Sequence, residues 1–446
     1  MGDIDAIFKA YDVRGLAPEQ LDAELSGNIG AGFARFVADT EGATSIVVGH
    51  DMRPTGPEFS QAFAAGAREQ GIDVIEMGLA STDMMYFASG SLDIPGAVFT
   101  ASHNPAEYNG IKMCLKGAAP LGSASGLEVI KEAARTRLEP VEQMGEISST
   151  EMLNGFADHV LSFIDVKKLR PLKIVADTAN GMGGLVVPAV FDRLPFDLEI
   201  MYAELDGTFP NHPADPLNEA NLVDLQTRVT EVGADIGLAF DGDADRVFLV
   251  DADARGVSGS LTTALVADRV LSAEPGATIL HNLICSKVVP EVIAENGGTA
   301  VRTRVGHSYI KAVMAETGAA FGGEHSGHYY FRDFWRADSG MLAALVILEA
   351  MCESGRSLAE LVAPLRRYVA SGEINTTVAD TSEVIERVAA AYPDADQDRL
   401  DGLTVDFGDW WFNLRPSNTE PLLRLNLEAA STDEVERRVA EVKANF

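Results

Sequence analysis

The chain has 446 residues, with 67 Asp and Glu against 35 Lys and Arg, for a formal charge of −32. Hydrophobic residues make up 46% and charged residues 23%, a globular composition, and the length accommodates about two to four domains. So acidic a chain lacks the basic footprint that nucleic acid or an anionic membrane surface requires.

The apolar run Met341 to Leu348 falls far short of the ~20 residues that cross a bilayer. The start, Met1-Gly-Asp-Ile-Asp, is acidic and has no charged-then-apolar leader pattern. Ala6 stands where a myristoylation signal on Gly2 wants Ser or Thr. Cys114, Cys285 and Cys352 are too far apart for a disulfide framework or a zinc cluster. A reduced, soluble, cytoplasmic protein is expected.

Taken in chain order, short apolar runs alternate with helical stretches, as in α/β units. Strands are predicted at Thr44–Gly49, Ile72–Gly78 and Gly96–Thr100. The plan repeats at Leu172–Ala176, Leu198–Ala203 and Asp235–Phe240, and again at Ala277–His281, Thr299–Thr303 and Ala319–Gly323. Each third strand runs into a polar loop, and ligands of open α/β sheets gather beyond strand ends. The last ~80 residues differ. Leu403–Leu414 and Leu422–Leu427 read as strands around a polar loop, then Ser431 and Glu434 are spaced as a capping box before a helix with Val435, Val439 and Val442 on one face. Domains are expected at 1–144, 145–247, 248–366 and 367–446, the last boundary following a helical reading of Leu358–Val369 and Gly372.

The first loop, Thr100-Ala-Ser-His-Asn-Pro105, sets a hydroxyl beside an imidazole. Asn-Pro forms turns by itself, which is the competing explanation, and Ser102 lacks the G-x-S-x-G elbow of a hydrolase. Asn109-Gly-Ile-Lys112 can return an ammonium toward Ser102. In the second loop Asp241, Asp243 and Asp245 alternate with small residues, so three carboxylates can converge on a hard cation; together and unpaired they would repel. A calcium loop needs Gly at position six and Glu at twelve, but Arg246 and Ala252 stand there. Mg²⁺ with a phosphoryl ligand suits the acids and Arg246; a solvated acidic turn is the alternative.

The third loop, Gly322-Gly-Glu-His-Ser-Gly-His328, offers mixed donors and acceptors of the kind a polyol needs. A glycine-permitted turn remains open, while His325 and His328, three apart around glycine, make a poor metal pair. The fourth, Arg415-Pro-Ser-Asn-Thr419, supplies a guanidinium, hydroxyls and an amide for a phosphate. Ser417 and Glu420 also fit a capping box, but the alternation Leu423, Leu425, Leu427 continues as a strand.

In this order, and with Phe8-Lys-Ala-Tyr-Asp-Val-Arg-Gly15 ahead of them, the loops resemble the α-D-phosphohexomutase family, especially its bacterial phosphomannomutase/phosphoglucomutase branch. The resemblance spans nearly the whole chain. It implies three similar mixed α/β domains and a C-terminal α+β domain of TATA-binding-protein-like fold around a central cleft. It also implies a phosphoserine at Ser102 that exchanges phosphate with hexose 1- and 6-phosphates through a bound hexose 1,6-bisphosphate. Mg²⁺ would lie between Ser102, Asp241, Asp243 and Asp245, and Arg14 and Arg246 would stabilise the transferring phosphoryl group. His307 or Lys112 would assist proton transfer, with Tyr11 and His103 shaping the site. Glu324 and Ser326, with His328 in the same loop, would grip the sugar, and Arg415, Ser417, Asn418 and Thr419 would clamp the non-reacting phosphate.

Two departures from the family pattern stand out. Ile284 precedes Cys285 where some members have lysine, leaving Lys287 as the nearby substitute, and Ala337-Asp-Ser-Gly340 replaces the commoner paired acid before glycine. Phosphoglucosamine mutases usually carry Gln where His325 stands, so mannose phosphates, with glucose phosphates also accepted, are the expected substrates. A sugar-phosphate phosphatase would not need both the sugar loop and a distant phosphate clamp. A non-catalytic binding protein would not need Ser102 and the aspartates. Monomer and homodimer stay equally open. Arg14, Lys112, Arg246 and Arg415 concentrate scarce cations in these motifs, so a locally positive cleft is expected within an acidic surface.

Overall fold

In a computed structural model that describes residues 4–416 and 422–446, four sheets follow one another along the chain. The first runs Val13–Leu16, Tyr108–Leu115, Gly96–Phe99, Ser45–His50, Asp73–Leu79, Ile147–Ser149, with Ala119–Pro120 beside Tyr108–Leu115. The second runs Gly256–Val257, Val247–Asp251, Ile236–Phe240, Lys173–Asp177, Asp197–Met201. The third runs Thr299–Thr303, Thr278–Asn282, Phe321–Gly323, Tyr329–Phe331. The fourth is wholly antiparallel: Val369–Thr377, Leu422–Ala429, Trp411–Pro416, Leu403–Asp406, Asp396–Asp398. Helices Thr381–Ala391 and Thr432–Lys443 accompany it.

The first three sheets share a device that decides where function sits. The strand that ends each parallel set, Gly96–Phe99, Ile236–Phe240 or Phe321–Gly323, is followed by one that returns antiparallel beside it. The loops that carry Ser102, the three aspartates and Glu324 are therefore the turns of three hairpins. The returning strands are buried along nearly their whole length, so they lack the alternation that marks a half-exposed strand, and sequence patterning misses them.

Hydrogen-bonded ladders run across two of the expected boundaries. Ile147–Ser149, just after 144/145, joins the first sheet beside Asp73–Leu79, and Val247–Asp251, at 247/248, pairs within the second sheet. The helix expected over Leu358–Val369 ends at Val362, a short 3-10 turn holds Pro364, which has no amide to donate, and Val369 opens a strand. Leu403–Leu414 divides into two strands where Phe407 donates its amide to the Trp410 carbonyl at 3.0 Å.

The largest core joins the second and third units to helices Thr82–Leu92 and Leu153–Leu161. A second lies under helices Ala23–Glu41, Gly56–Glu69 and Leu127–Ala134, and a third within the last unit. The apolar run at Met341 is the buried helix Gly340–Ser354, and no helix among the described residues is long and apolar enough to cross a membrane.

One joint between the first and third units is polar and sealed. Asp83 accepts hydrogen bonds from Ser81 Oγ and Ser339 Oγ, and burial pushes its carboxyl up to about 7. Ser339 thus finds an acid across the domain boundary rather than beside itself in sequence. Between the ordinary carboxyl value of 3.8 and about 7, the folded chain keeps a proton that the unfolded chain has lost. That contribution to stability is fully present at low pH and disappears as pH rises through the folded value. Asp83→Asn keeps the shape without the titration. Its stability relative to the parent is therefore expected to rise by ~2–4 kcal/mol across this window in denaturant melts at a series of pH values. A difference independent of pH would mean that Asp83 is ionised in the fold.

Candidate active site

The three hairpin turns and the fourth sheet face one cleft of about 2050 Å³. Tyr11, Arg14, Ser102, His103 and Lys112 line it from the first unit, and Arg246 from the second. Glu324, Ser326 and His328 contribute from the third, and Arg415 from the fourth. Four unrelated stretches of sequence thus meet as expected. Ser417, Asn418 and Thr419 lie outside the described residues. His307 begins the helix His307–Thr317, and its side chain is likewise outside them.

Ser102 sits just beyond its strand with φ 49°, an uncommon conformation for a residue other than glycine and one that costs about 1–3 kcal/mol. The loop is held there by other groups. Thr100 Oγ1 accepts the Ser102 amide at 2.9 Å. Arg53, only 1% exposed, donates Nη1 to the carbonyls of Pro105 and Tyr108, both at 2.8 Å. Its Nη2 donates to the carbonyls of Ser102 at 2.9 Å and Asn104 at 2.7 Å. Asp51 Oδ2 lies 3.3 Å from Arg53 Nε, and the ring of Phe209 from the second unit covers the guanidinium at 5.2 Å. Ser102 Oγ donates to Asp241 Oδ2 at 2.8 Å, lies 3.2 Å from His103 Nδ1, and accepts from Arg246 Nη2 at 3.4 Å.

The aspartate loop closes directly onto the serine loop. A Cβ on Gly242 would stand 2.4 Å from the Ser102 carbonyl oxygen, so only glycine permits the approach. Asp241, Asp243 and Asp245 are fully buried, with ligand oxygens within 4.8 Å of one another. Arg246 Nε donates to Asp241 Oδ2 at 2.8 Å. Asp243 Oδ2 accepts from Lys112 Nζ at 2.8 Å and from Thr82 Oγ1 at 2.6 Å, and Asp245 Oδ2 accepts from Lys112 Nζ at 2.6 Å. Asp243 Oδ1 and Asp245 Oδ1 are buried with no hydrogen-bond partner among the described residues. Two inward oxygens left over beside a third carboxylate fit a hard divalent cation.

Electrostatics divides the three acids. Burial and its two acidic neighbours push Asp241 up to about 8, against the pull of Arg246. Burial would raise Asp243 too, but the Lys112 ammonium and the Thr82 hydroxyl hold it well below the usual range. Burial opposes the charge of Lys112, and the two carboxylates overcome it, so its value stays well above that of a free lysine. His103 goes the other way: burial, then Arg246 and Arg14, keep it neutral.

The remaining side chains fill in the cleft walls. Arg14 donates Nη1 to Asn104 Oδ1 at 2.7 Å and Nη2 to Asp12 Oδ2 at 2.6 Å, which binds the N-terminal segment to the serine loop. Glu324 accepts from Asn282 Nδ2 and the Gly306 amide, each at 3.1 Å, and from Tyr330 at 2.8 Å. His328 Nδ1 lies 3.1 Å from Ser326 Oγ, and its Nε2 lies 3.8 Å from Asp245 Oδ1, so the loop of Glu324 to His328 touches the aspartate loop. Burial, then Arg415, pushes His325 down to about 3, which leaves it neutral.

The departures noted in the sequence resolve as interface residues. Ile284 packs with Leu283 and Trp411 across the third and fourth units. Lys287 does not stand in for the missing cleft cation: its Nζ donates to Asp406 Oδ1 and the Gly408 carbonyl, both at 2.7 Å. Asp338 pairs with the buried Lys311 at 2.9 Å. Sequence reading passed over Arg53, Thr82, Lys311 and Arg424. The one signal available for Arg53 was its place in a polar turn, His50-Asp-Met-Arg-Pro54, at the end of a parallel strand.

Comparison with known proteins agrees with this arrangement. The chain matches the phosphoglucomutase/phosphomannomutase alpha/beta/alpha domains I, II and III over residues 5–139, 154–256 and 258–368. It matches the C-terminal domain over residues 373–445. It is 41% identical over 427 residues to "Phosphohexose mutases" of Xanthomonas campestris pv. campestris, covering 94% of each chain. It is 38% identical over 434 residues to the phosphomannomutase of Escherichia coli strain K12, covering 95% of this chain and 94% of that one. The crystal structure of a phosphoglucomutase/phosphomannomutase family protein from Burkholderia thailandensis superposes with a TM-score of 0.91 at 31% identity, covering 100% of this chain and 97% of that one. With four domain matches in order and the same fold throughout, the chain belongs to the phosphoglucomutase/phosphomannomutase family and is a phosphohexomutase, an isomerase.

Proposed function

We propose that the enzyme interconverts hexose 6-phosphate and hexose 1-phosphate, with mannose phosphates as preferred substrates and glucose phosphates also accepted, through phosphorylated Ser102 and a hexose 1,6-bisphosphate. The observation that carries this reading is the Ser102 hydroxyl, 2.8 Å from Asp241 Oδ2 on the cleft wall, beside two buried aspartate oxygens without a hydrogen-bond partner among the described residues. Asp241, Asp243 and Asp245, together with the phosphate on Ser102, would hold Mg²⁺. When bound, that ion supplies charge neutralisation for the phosphoryl oxygens.

Arg246 and Arg14 then meet the phosphoryl group with fixed forks of N–H donors. Glu324, Ser326 and His328 orient the sugar so that its free hydroxyl faces Ser102. Arg415 with Ser417, Asn418 and Thr419 grips the phosphate that does not react. Phosphate passes from Ser102 Oγ to the hydroxyl oxygen: the hydroxyl proton goes to His307, and the Lys112 ammonium, held protonated between Asp243 and Asp245, is the acid for the departing Ser102 alkoxide. The bisphosphate turns over, and its other phosphate returns to Ser102. Tyr11 and the neutral His103 pack the site around that transfer.

Phosphorus NMR of the purified enzyme with mannose 1-phosphate, glucose 1-phosphate and glucosamine 1-phosphate tests the proposal, together with intact-mass analysis of the protein. Conversion to the corresponding 6-phosphates is expected, fastest for mannose, lost with a chelator and restored by Mg²⁺. Free phosphate as the main product would make the enzyme a phosphatase, and fastest turnover of glucosamine 1-phosphate would overturn the substrate assignment.

A further inference from the structure

The helix Thr82–Leu92 of the first unit begins against the aspartate loop of the second. Ser81 is its N-cap, with Oγ accepting the Met84 amide at 3.2 Å. The cap therefore makes no use of the Thr82 hydroxyl, which donates instead to Asp243 Oδ2 at 2.6 Å. The Thr82 amide is one of the donors that a helix start leaves over, and it goes to the Asp243 backbone carbonyl at 3.1 Å. One fully buried residue thus grips both the main chain and the side chain of one aspartate. Asp83, next in the chain, accepts from Ser339 Oγ of the third unit at 2.7 Å, so this helix end is held from two sides.

What matters is which oxygen remains. A carboxylate oxygen has two lone pairs to offer. On Asp243 Oδ2 they meet Thr82 and Lys112 Nζ, the latter at 2.8 Å, while Oδ1 is buried without a hydrogen-bond partner among the described residues. Lys112 alone fixes that carboxylate poorly, because its flexible stem also serves Asp245 Oδ2 at 2.6 Å. Thr82 is short, stiff at χ1 and uncharged, and it does not line the cleft. From this we infer that Thr82 is a positioning residue for the cation site: it turns Asp243 so that Oδ1 faces the ion, and divalent-cation affinity thereby depends on how the first unit docks on the second. The inference rests on the reading of the aspartates as cation ligands. A partner one step behind a ligand typically carries about 10–100-fold in metal affinity. Since Thr82 is neutral, its share is orientation, and its removal leaves the net charge around the ion unchanged.

The test is Mn²⁺ binding to the full-length protein, shown to be unphosphorylated by intact mass. Free Mn²⁺ is counted from its electron paramagnetic resonance signal, and melting curves confirm folding. Thr82→Val, which keeps the branched shape and loses the donor, is expected to weaken Mn²⁺ binding by about 10–100-fold. Thr82→Ala should do the same without pressing a methyl group on the carboxylate. Thr82→Ser keeps the donor on a freer rotamer and should lose less than about fivefold. The Mg²⁺ concentration for half-maximal mutase turnover should rise in Thr82→Val by a similar factor, while KM for hexose phosphate at saturating Mg²⁺ moves less than about threefold. Equal weakening in Thr82→Ser and Thr82→Val would reduce Thr82 to packing and overturn the positioning role. Mn²⁺ binding within about twofold of the parent in both Thr82→Val and Thr82→Ala would overturn it as well and leave the cation reading standing. If Asp243→Ala binds Mn²⁺ as the parent does, the cation reading itself fails, and this inference with it.

Discussion

Ser102→Ala is expected to cut mutase turnover by roughly 10⁴-fold or more and to leave the protein without bound phosphate by intact mass. The proposed transfer runs through this hydroxyl, which donates to Asp241, lies in reach of His103 and accepts from Arg246. Its neighbour Thr100 is engaged with the Ser102 amide and cannot replace it. Binding of hexose phosphate should survive, because Glu324, Ser326 and Arg415 lie elsewhere on the cleft wall. The left-handed backbone at Ser102 is a complication, since alanine tolerates it poorly. Ser102→Gly is the companion variant: it relieves the strain and should be equally inactive. Retention of more than a few per cent of activity by either variant would sink the phosphoserine proposal, and label on another residue would relocate it.

Arg53→Lys is the second large effect expected, a loss of about 10²-fold in kcat with KM for hexose phosphate changed less than about threefold. Arg53 is not on the cleft wall, yet its two terminal nitrogens take four carbonyls of the serine loop. A lysine is a point charge without the planar fork, so at least one buried carbonyl loses its donor, at about 1–3 kcal/mol each. Ser102 would then be free to drift from its strained backbone state, and a misplacement near 1 Å is enough for the stated loss. The distinguishing readout is the rate at which glucose 1,6-bisphosphate phosphorylates the protein, followed by intact mass. That rate should fall in step with kcat while sugar binding holds. Equal changes in kcat and KM alongside a collapse in melting temperature would reduce Arg53 to a scaffold residue.

Arg53 also shows where the sequence stops being legible. Asp241, Asp243 and Asp245 were readable because their convergence is local, three acids at alternate positions after a strand. Ser102, Glu324 and Arg415 were readable for a similar reason, each a polar break at the end of an apolar run. Arg53 reaches a carbonyl 49 positions away, and Thr82 reaches Asp243 across 161, and neither contact leaves a period or a spacing in the chain. Lys112 was legible as a cation near the serine, but not as the ammonium shared by Asp243 and Asp245. Lys287 looked available for the cleft and instead ties two domains together.

The same line separates what the opening composition could and could not settle. From the sequence alone came the expectation that nucleic acid and anionic membrane are not its partners, the repeated α/β plan, and the four loops with the chemistry each can offer. Those follow from net charge and from patterns within a few residues, which survive in one dimension. Tertiary structure alone decided the returning strands, the places of Ile147–Ser149 and Val247–Asp251 in the first two sheets, the buried acid Asp83 that meets Ser339, and the sharing of Lys112 by Asp243 and Asp245. Each of these is a hydrogen bond or ion pair between distant segments. It becomes favourable only when folding removes both partners from water and brings them to contact, so the sequence carries the partners but not the pairing.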